Sequence, residues 1–131
     1  MTLDAATIGA ITLFTEDLLA AKSFYHDVFG KDVVFEDPQS AVFRFGDTVI
    51  NLLQVEAAPE LIAPATVAGP GLGARLQLTI WVEDVDAVVR ELKGRGVELL
   101  NGPIDRPWGQ RTAAFTDPVG NIWEVAQGIG G

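Results

Sequence analysis

The sequence contains no cysteine, which excludes disulfide frameworks, thiolate metal sites and thiol catalysis together. Imidazole is available at one position only, His26. Basic residues are scarce, with 9 Lys and Arg against 18 Asp and Glu and a formal net charge of -9. No basic cluster offsets that charge, so neither a nucleic-acid nor a membrane partner is expected. The opening Met1-Thr2-Leu3-Asp4 has no basic patch leading into a long apolar run. Neither a signal peptide nor an anchor is expected there, and a cytoplasmic location is the resulting expectation. What the chain does have is 131 residues, 48% hydrophobic and 21% charged, the composition of one ordinary globular domain with one continuous core.

The chain repeats itself once. Ile11-Thr12-Leu13-Phe14-Thr15-Glu16-Asp17 recurs in residue character as Leu78-Thr79-Ile80-Trp81-Val82-Glu83-Asp84, so each copy opens a module. Asp17 is suited to cap a helix whose apolar stripe is Leu18, Ala21, Tyr25 and Val28, ending at Gly30. Asp84 does the same for Val85, Val88, Val89 and Leu92, with Gly94 or Gly96 as the left-handed terminator. Strand patterns follow each helix, at 32–35, 41–45 and 49–54, then at 97–100, 111–116 and 122–126. Tight turns are expected at Gly46-Asp47 and at Asp117-Pro118-Val119-Gly120. The expected organisation is a single domain over 1–131: module one at about 8–56, an exposed Pro- and Gly-rich linker at 57–73, and module two at about 74–127.

Each module therefore reads β-α-β-β-β, an α+β fold in which side chains alternate between two faces of a strand. The helix stripe matches Ile11 and Leu13 in the first module and Leu78, Ile80 and Val82 in the second. Ala10, Thr12 and Phe14, and likewise Gln77, Thr79 and Trp81, are left on the other face. Val49, Asn51 and Leu53 form one set on the last strand of module one, matched by Ile122, Glu124 and Ala126 in module two. Two such modules, with helices outside, are expected to form a curved mixed sheet around a ligand cup that these sets line.

These features resemble the vicinal oxygen chelate superfamily of glyoxalases, bleomycin-resistance proteins and dioxygenases. The resemblance spans nearly the whole chain. It rests on the opening strand before Glu16-Asp17-Leu18, on Phe24-Tyr25-His26-Asp27-Val28-Phe29-Gly30, and on Pro107-Trp108-Gly109 followed by Asp117-Pro118-Val119-Gly120-Asn121-Ile122-Trp123-Glu124. Enzymes of that superfamily hold a divalent metal with one residue from the first and one from the last strand of each module. By residue-level matching those four places fall on Ala10, Asn51, Gln77 and Glu124. Ala10 has no donor atom and Asn51 offers only a neutral amide, so the resemblance implies a family site without its metal and without any other cofactor.

The function expected from this reading is metal-independent binding of a small, partly aromatic or amphipathic molecule. The ligand-binding residues are Phe14, Asn51, Gln77, Trp81, Trp108 and Glu124. Glu124 is also the candidate general base, which keeps a second reading in view: a glyoxalase-like lyase or isomerase, or a dioxygenase-like enzyme. Each residue has a plainer role as well. Glu124 would pair with Arg111 or Arg44, Gln77 would satisfy backbone groups, and Trp108, Trp81 and Phe14 would fill the core. His26 is expected at the surface of its helix. Leu61-Ile62 is expected to meet a partner subunit, since the resemblance implies a homodimer.

Overall fold

The computed structural model describes residues 4–130. The chain divides into two compact units, Met1–Ala68 and Gly69–Gly131, and the boundary falls inside the segment read as a linker. Unit one contains β1 (Ala10–Thr15), α1 (Leu18–Phe29), β2 (Val33–Asp37), β3 (Ser40–Phe45), β4 (Thr48–Gln54) and a short helix α2 (Pro59–Ile62). Unit two contains β5 (Gln77–Trp81), α3 (Val85–Gly94), β6 (Leu99–Arg106), β7 (Gln110–Thr116) and β8 (Ile122–Gly128). The sheets have the orders β1-β4-β3-β2 and β5-β8-β7-β6. In each, the first strand runs parallel to the last and the remaining pairs are antiparallel. This is the expected α+β architecture, with two four-stranded mixed sheets each carrying its own helix.

Helix positions follow from local chemistry. The Asp17 carboxylate accepts from the Ala20 amide and that of Asp84 from the Ala87 amide, both at 3.1 Å, satisfying amides that have no partner within the first turn. Gly30 takes the left-handed conformation after α1. Of the two terminators expected for the second helix, Gly96 is the left-handed one (φ 82) and Gly94 remains helical.

A second device ties each helix to its sheet. The Gln54 side-chain oxygen, at the end of β4, accepts from the Leu18 amide at 3.0 Å, while its nitrogen donates to the Glu16 carbonyl at 2.8 Å. At the end of β8 the Gln127 oxygen accepts from the Val85 amide at 2.5 Å. The two glutamines are equivalent, and they hold the first turn of each helix against the last strand of its own module.

The helix-facing side of each sheet is the core. In unit one, Leu13, Ala41, Phe43, Ile50 and Leu52 are buried beneath Ala21 and Tyr25. Tyr25 is fully buried, with its ring centroid 5.1 Å from Phe29 and 5.7 Å from Phe43. The Phe24-to-Gly30 motif therefore builds the helix–sheet seam. His26 is exposed on the other side of α1, beside Asp27 at 3.0 Å and Asp32 at 3.7 Å. In unit two the same layer is Val85, Val89 and Leu92 over Ala113, Phe115, Trp123 and Val125. Among the described residues no helix is long and apolar enough to cross a membrane.

Two segments differ from the sequence reading. The sequence pattern marks a strand at 97–100 and only loop over 101–110, yet β6 continues to Arg106 and pairs with β7 across two register shifts. The reason is a bulge. The register passes from Asn101↔Ala114 to Ile104↔Thr112, so Gly102-Pro103 is absorbed as extra chain on one side of the ladder. At Gly102, φ is +88°, and an added Cβ would stand 2.4 Å from the Thr112 carbonyl oxygen. Only glycine fits there. The linker, for its part, carries α2 and 3-10 turns at Val55–Ala57 and Pro70–Leu72. Prolines at the first-turn positions of α2 and of Pro70–Leu72 favour those two.

The hairpin turn before β8 is held by one buried carboxylate. Asp117, 4% exposed, accepts from the Val119 and Asn121 amides at 3.1 and 2.9 Å and from the Asn121 side chain at 2.8 Å. Asp117→Ala is expected to lower unfolding free energy by about 2–3 kcal/mol, because the amides left behind lose a charged acceptor. Asp117→Asn should lose less. Urea denaturation of the two variants measures the difference, and equal losses would show that charge is immaterial to the turn.

Candidate functional site

Register fixes which side chains share the face away from each helix. In unit one, Ala10 pairs with Val49, Thr12 with Asn51 and Phe14 with Leu53, placing these six on the helix-free face of the sheet while Ile50 and Leu52 are buried on the other. In unit two, Gln77 pairs with Ile122, Thr79 with Glu124 and Trp81 with Ala126. The alternation read from the sequence holds in both units.

At the centre of each face lies the same arrangement, a threonine on the first strand opposite a polar residue on the last. The Asn51 amide nitrogen lies 3.4 Å from the Thr12 hydroxyl oxygen, to which it donates. The Thr79 hydroxyl donates to the Glu124 carboxylate at 3.0 Å. The Asn51 amide oxygen is buried and has no hydrogen-bond partner among the described residues. With one threonine hydroxyl beside it, the amide leaves one polar end unsatisfied whichever way it is turned. A buried acceptor in that state costs about 1–3 kcal/mol relative to a satisfied one, so this position carries a standing demand for a donor.

Glu124 is half-buried. Within its unit its partner is Thr79 rather than Arg111. Arg111 lies on the helix side of β7, where it binds Asp86 on α3 at 3.0 Å and Asp105 on β6 at 2.8 Å. The hydrogen bonds that Arg111 donates to Asp86, then those to Asp105, hold its guanidinium further into its charged range. The carboxylate of Glu124 is therefore not used up by that cation.

Of the other expected residues, Phe14 is half-buried on the unit-one face. Gln77 lies exposed at the start of β5, on the same face as Glu124 but paired with Ile122. Trp81 and Trp108 are 68% and 65% exposed. Neither tryptophan fills the core. Trp108 occupies the Pro107-Trp108-Gly109 turn joining β6 to β7, and its ring N–H donates to the Gln110 side chain at 3.2 Å. Over its ring, 5.7 Å from the centroid, sits the Arg106 guanidinium.

Sequence reasoning passed over Thr12 and Thr79 as site residues, and it passed over Arg106. The threonines were visible as matched positions in the repeat with the parity of the face. Arg106 has no counterpart in module one, and with 101–110 read as a loop it was given no face at all.

The donor atoms can be compared with what a divalent metal needs, about three good protein ligands. The unit-one face supplies a neutral amide and a hydroxyl, with only a methyl at Ala10. The unit-two face supplies one carboxylate already hydrogen-bonded to Thr79, and the Gln77 amide displaced along the strand. Neutral amide oxygens do not repay the dehydration of a small divalent ion. Among the described residues no group of three or more His, Cys, Asp or Glu stands close enough to hold a metal. The residues present do not fit a family-type metal centre.

A model of the Glyoxalase/Bleomycin resistance protein/Dioxygenase superfamily matches residues 7–125. YraH, an uncharacterised protein of Bacillus subtilis, is 32% identical over 119 residues, covering 88% of this chain and 93% of its own. Among solved structures, a glyoxalase/bleomycin resistance protein/dioxygenase from Nocardioides superposes with a TM-score of 0.86 at 26% identity, covering 98% of this chain and 87% of that one. A lactoylglutathione lyase from Agrobacterium tumefaciens shares the fold, with a TM-score of 0.78 at 24% identity over 95% of this chain and 96% of that one.

Replacing Asn51 by leucine removes the orphaned acceptor while keeping its branched shape. Asn51→Leu is expected to leave stability unchanged or raise it by about 1 kcal/mol, an effect seen as an equal or higher thermal midpoint. A loss above about 2 kcal/mol would mean that Asn51 serves the fold.

Proposed function

The chain belongs to the Glyoxalase/Bleomycin resistance protein/Dioxygenase superfamily, and from that premise we propose that it is a metal-independent small-molecule binding protein whose ligand is held against a helix-free sheet face. The observation that carries this reading is the buried, partnerless amide oxygen of Asn51, at a place where the family resemblance leads one to expect a carboxylate. It cannot replace a carboxylate toward a divalent ion, but it can accept a hydrogen bond from an N–H or O–H of an organic ligand. Exposed Trp81 and Trp108 add planar apolar surface for stacking. Phe14 on the unit-one face and Gln77 and Glu124 on the unit-two face are further proposed ligand contacts. None of these groups supplies a Lewis acid to polarise a bound molecule.

A second reading is favoured by one contact, the hydrogen bond from Thr79 to Glu124. That bond fixes the carboxylate on the sheet face, as a general base in a metal-free isomerase or lyase step would require. A pair of copies in the cytoplasm accompanies either reading, with Leu61 on α2, 65% exposed, as apolar surface for a partner copy to cover.

Two measurements test the main reading. Elemental analysis of protein purified without added metal is expected to find zinc, nickel, manganese and iron far below one per chain. Calorimetric titration with a panel of glycopeptide, mitosane and aromatic compounds is expected to find a binder whose affinity falls about tenfold in Asn51→Leu. Stoichiometric metal, or no binding by any compound, overturns the reading. For the pair of copies, light scattering should give twice the chain mass, and Leu61→Glu should shift it toward one.

A further inference from the structure

We propose that Arg106 and Trp108 form the recognition site for an aromatic monocarboxylate. This deepens the ligand-binding reading above and rests on it.

Arg106 ends β6 and pairs with Gln110, on the sheet face away from α3. Its Nε donates to the Thr112 hydroxyl at 2.9 Å and its Nη2 to the Asn101 side-chain oxygen at 3.3 Å. Both acceptors are neutral. Thr112 is 1% exposed, so the bond that aims the guanidinium is anchored in the packed interior. A guanidinium has five N–H donors in a rigid fork, and these two bonds leave the others unengaged among the described residues.

Several basic residues have no carboxylate partner among the described residues, and Arg106 is set apart from these by the two neutral side chains that hold its guanidinium. Acidic residues outnumber basic ones 18 to 9. Arg111, on the opposite face of the same hairpin, is bound by two carboxylates, and Lys22 and Arg95 are paired with Glu36 and Glu91. Arg106 is half-buried, oriented, positively charged and, among the described residues, held only by neutral groups. That is the state of a cation arranged to receive an anion.

The surroundings specify the rest of the ligand. The Trp108 ring carries Arg106 on one side at 5.7 Å and is pinned through its N–H by Gln110. Guanidinium and indole thus present a charged fork beside an exposed planar surface. Across the sheet from Ile104 the register runs through Thr112 and Ala126 to Trp81, so the row between Ile104 and the second exposed tryptophan holds only small side chains. A planar ring with an acidic substituent matches both features. One guanidinium in a chain of net charge -9 suits a singly charged carboxylate better than a phosphate dianion, which the remaining charge repels.

The test uses the whole protein with naphthoate as probe and naphthamide as its neutral isostere, each titrated calorimetrically. Naphthoate is expected to bind at least about tenfold tighter than naphthamide, a preference that weakens with added salt. In Arg106→Gln the preference should vanish, with both compounds near the naphthamide affinity. Arg106→Lys, which keeps the charge without the fork, should retain part of it. Trp108→Leu should weaken both compounds alike. Circular dichroism melts accompany each variant, and the naphthoate-to-naphthamide ratio in the unaltered protein stands whether or not a variant folds. No preference in the unaltered protein, or a preference that survives in folded Arg106→Gln, overturns the inference. So does displacement of naphthoate by an equal concentration of inorganic phosphate. If neither naphthalene compound binds while other panel compounds do, this inference falls and the binding reading stands. If the whole panel fails, both fall.

Discussion

Everything distinctive in this protein depends on the parallel pairing of the first strand of each module with its last. Thr12 and Asn51 are 39 residues apart in sequence and Thr79 and Glu124 are 45 apart, yet each pair meets because β1 lies beside β4 and β5 beside β8. A parallel pair requires a crossover, and here the helix and the two intervening strands supply it. The helix then covers one face, so the polar pair is left on the other. A shift of one residue in that pairing would send Asn51 toward Tyr25 and Leu52 out of the core.

The glutamines at the ends of β4 and β8 bear directly on that register. Gln54 and Gln127 stand three residues beyond Asn51 and Glu124 respectively, and each binds the first turn of its own helix. Strand register and helix docking are therefore one constraint rather than two. The same spacing supports treating Asn51 and Glu124 as equivalent positions, since it matches them by hydrogen bonding rather than by residue type.

Much of this was legible in the sequence because it is local. Helix starts follow from Asp17 and Asp84, and the faces of β1, β4, β5 and β8 follow from alternation. Asn51 and Glu124 were therefore assigned to the helix-free face before any coordinates. What escaped was long-range or masked. The glutamine caps join residues 36 and 42 positions apart and leave no trace in periodicity. Gly102-Pro103 broke the strand pattern, so β6 looked half its length, and Arg106 looked like part of a loop. The partner of Arg111 could not be chosen by pattern either, because three-dimensional proximity to Asp86 on α3 decided it.

The two faces of each sheet divide their labour. Buried aromatic and aliphatic side chains on the helix side, with the glutamine and aspartate caps, hold each unit together, whereas Asn51, Glu124, Trp81 and Arg106 contribute little to that packing. Substitutions at these positions therefore disturb the fold less than substitutions on the helix side. A backbone organised this way can exchange the side chains of one sheet face while the other face keeps every strand where it was.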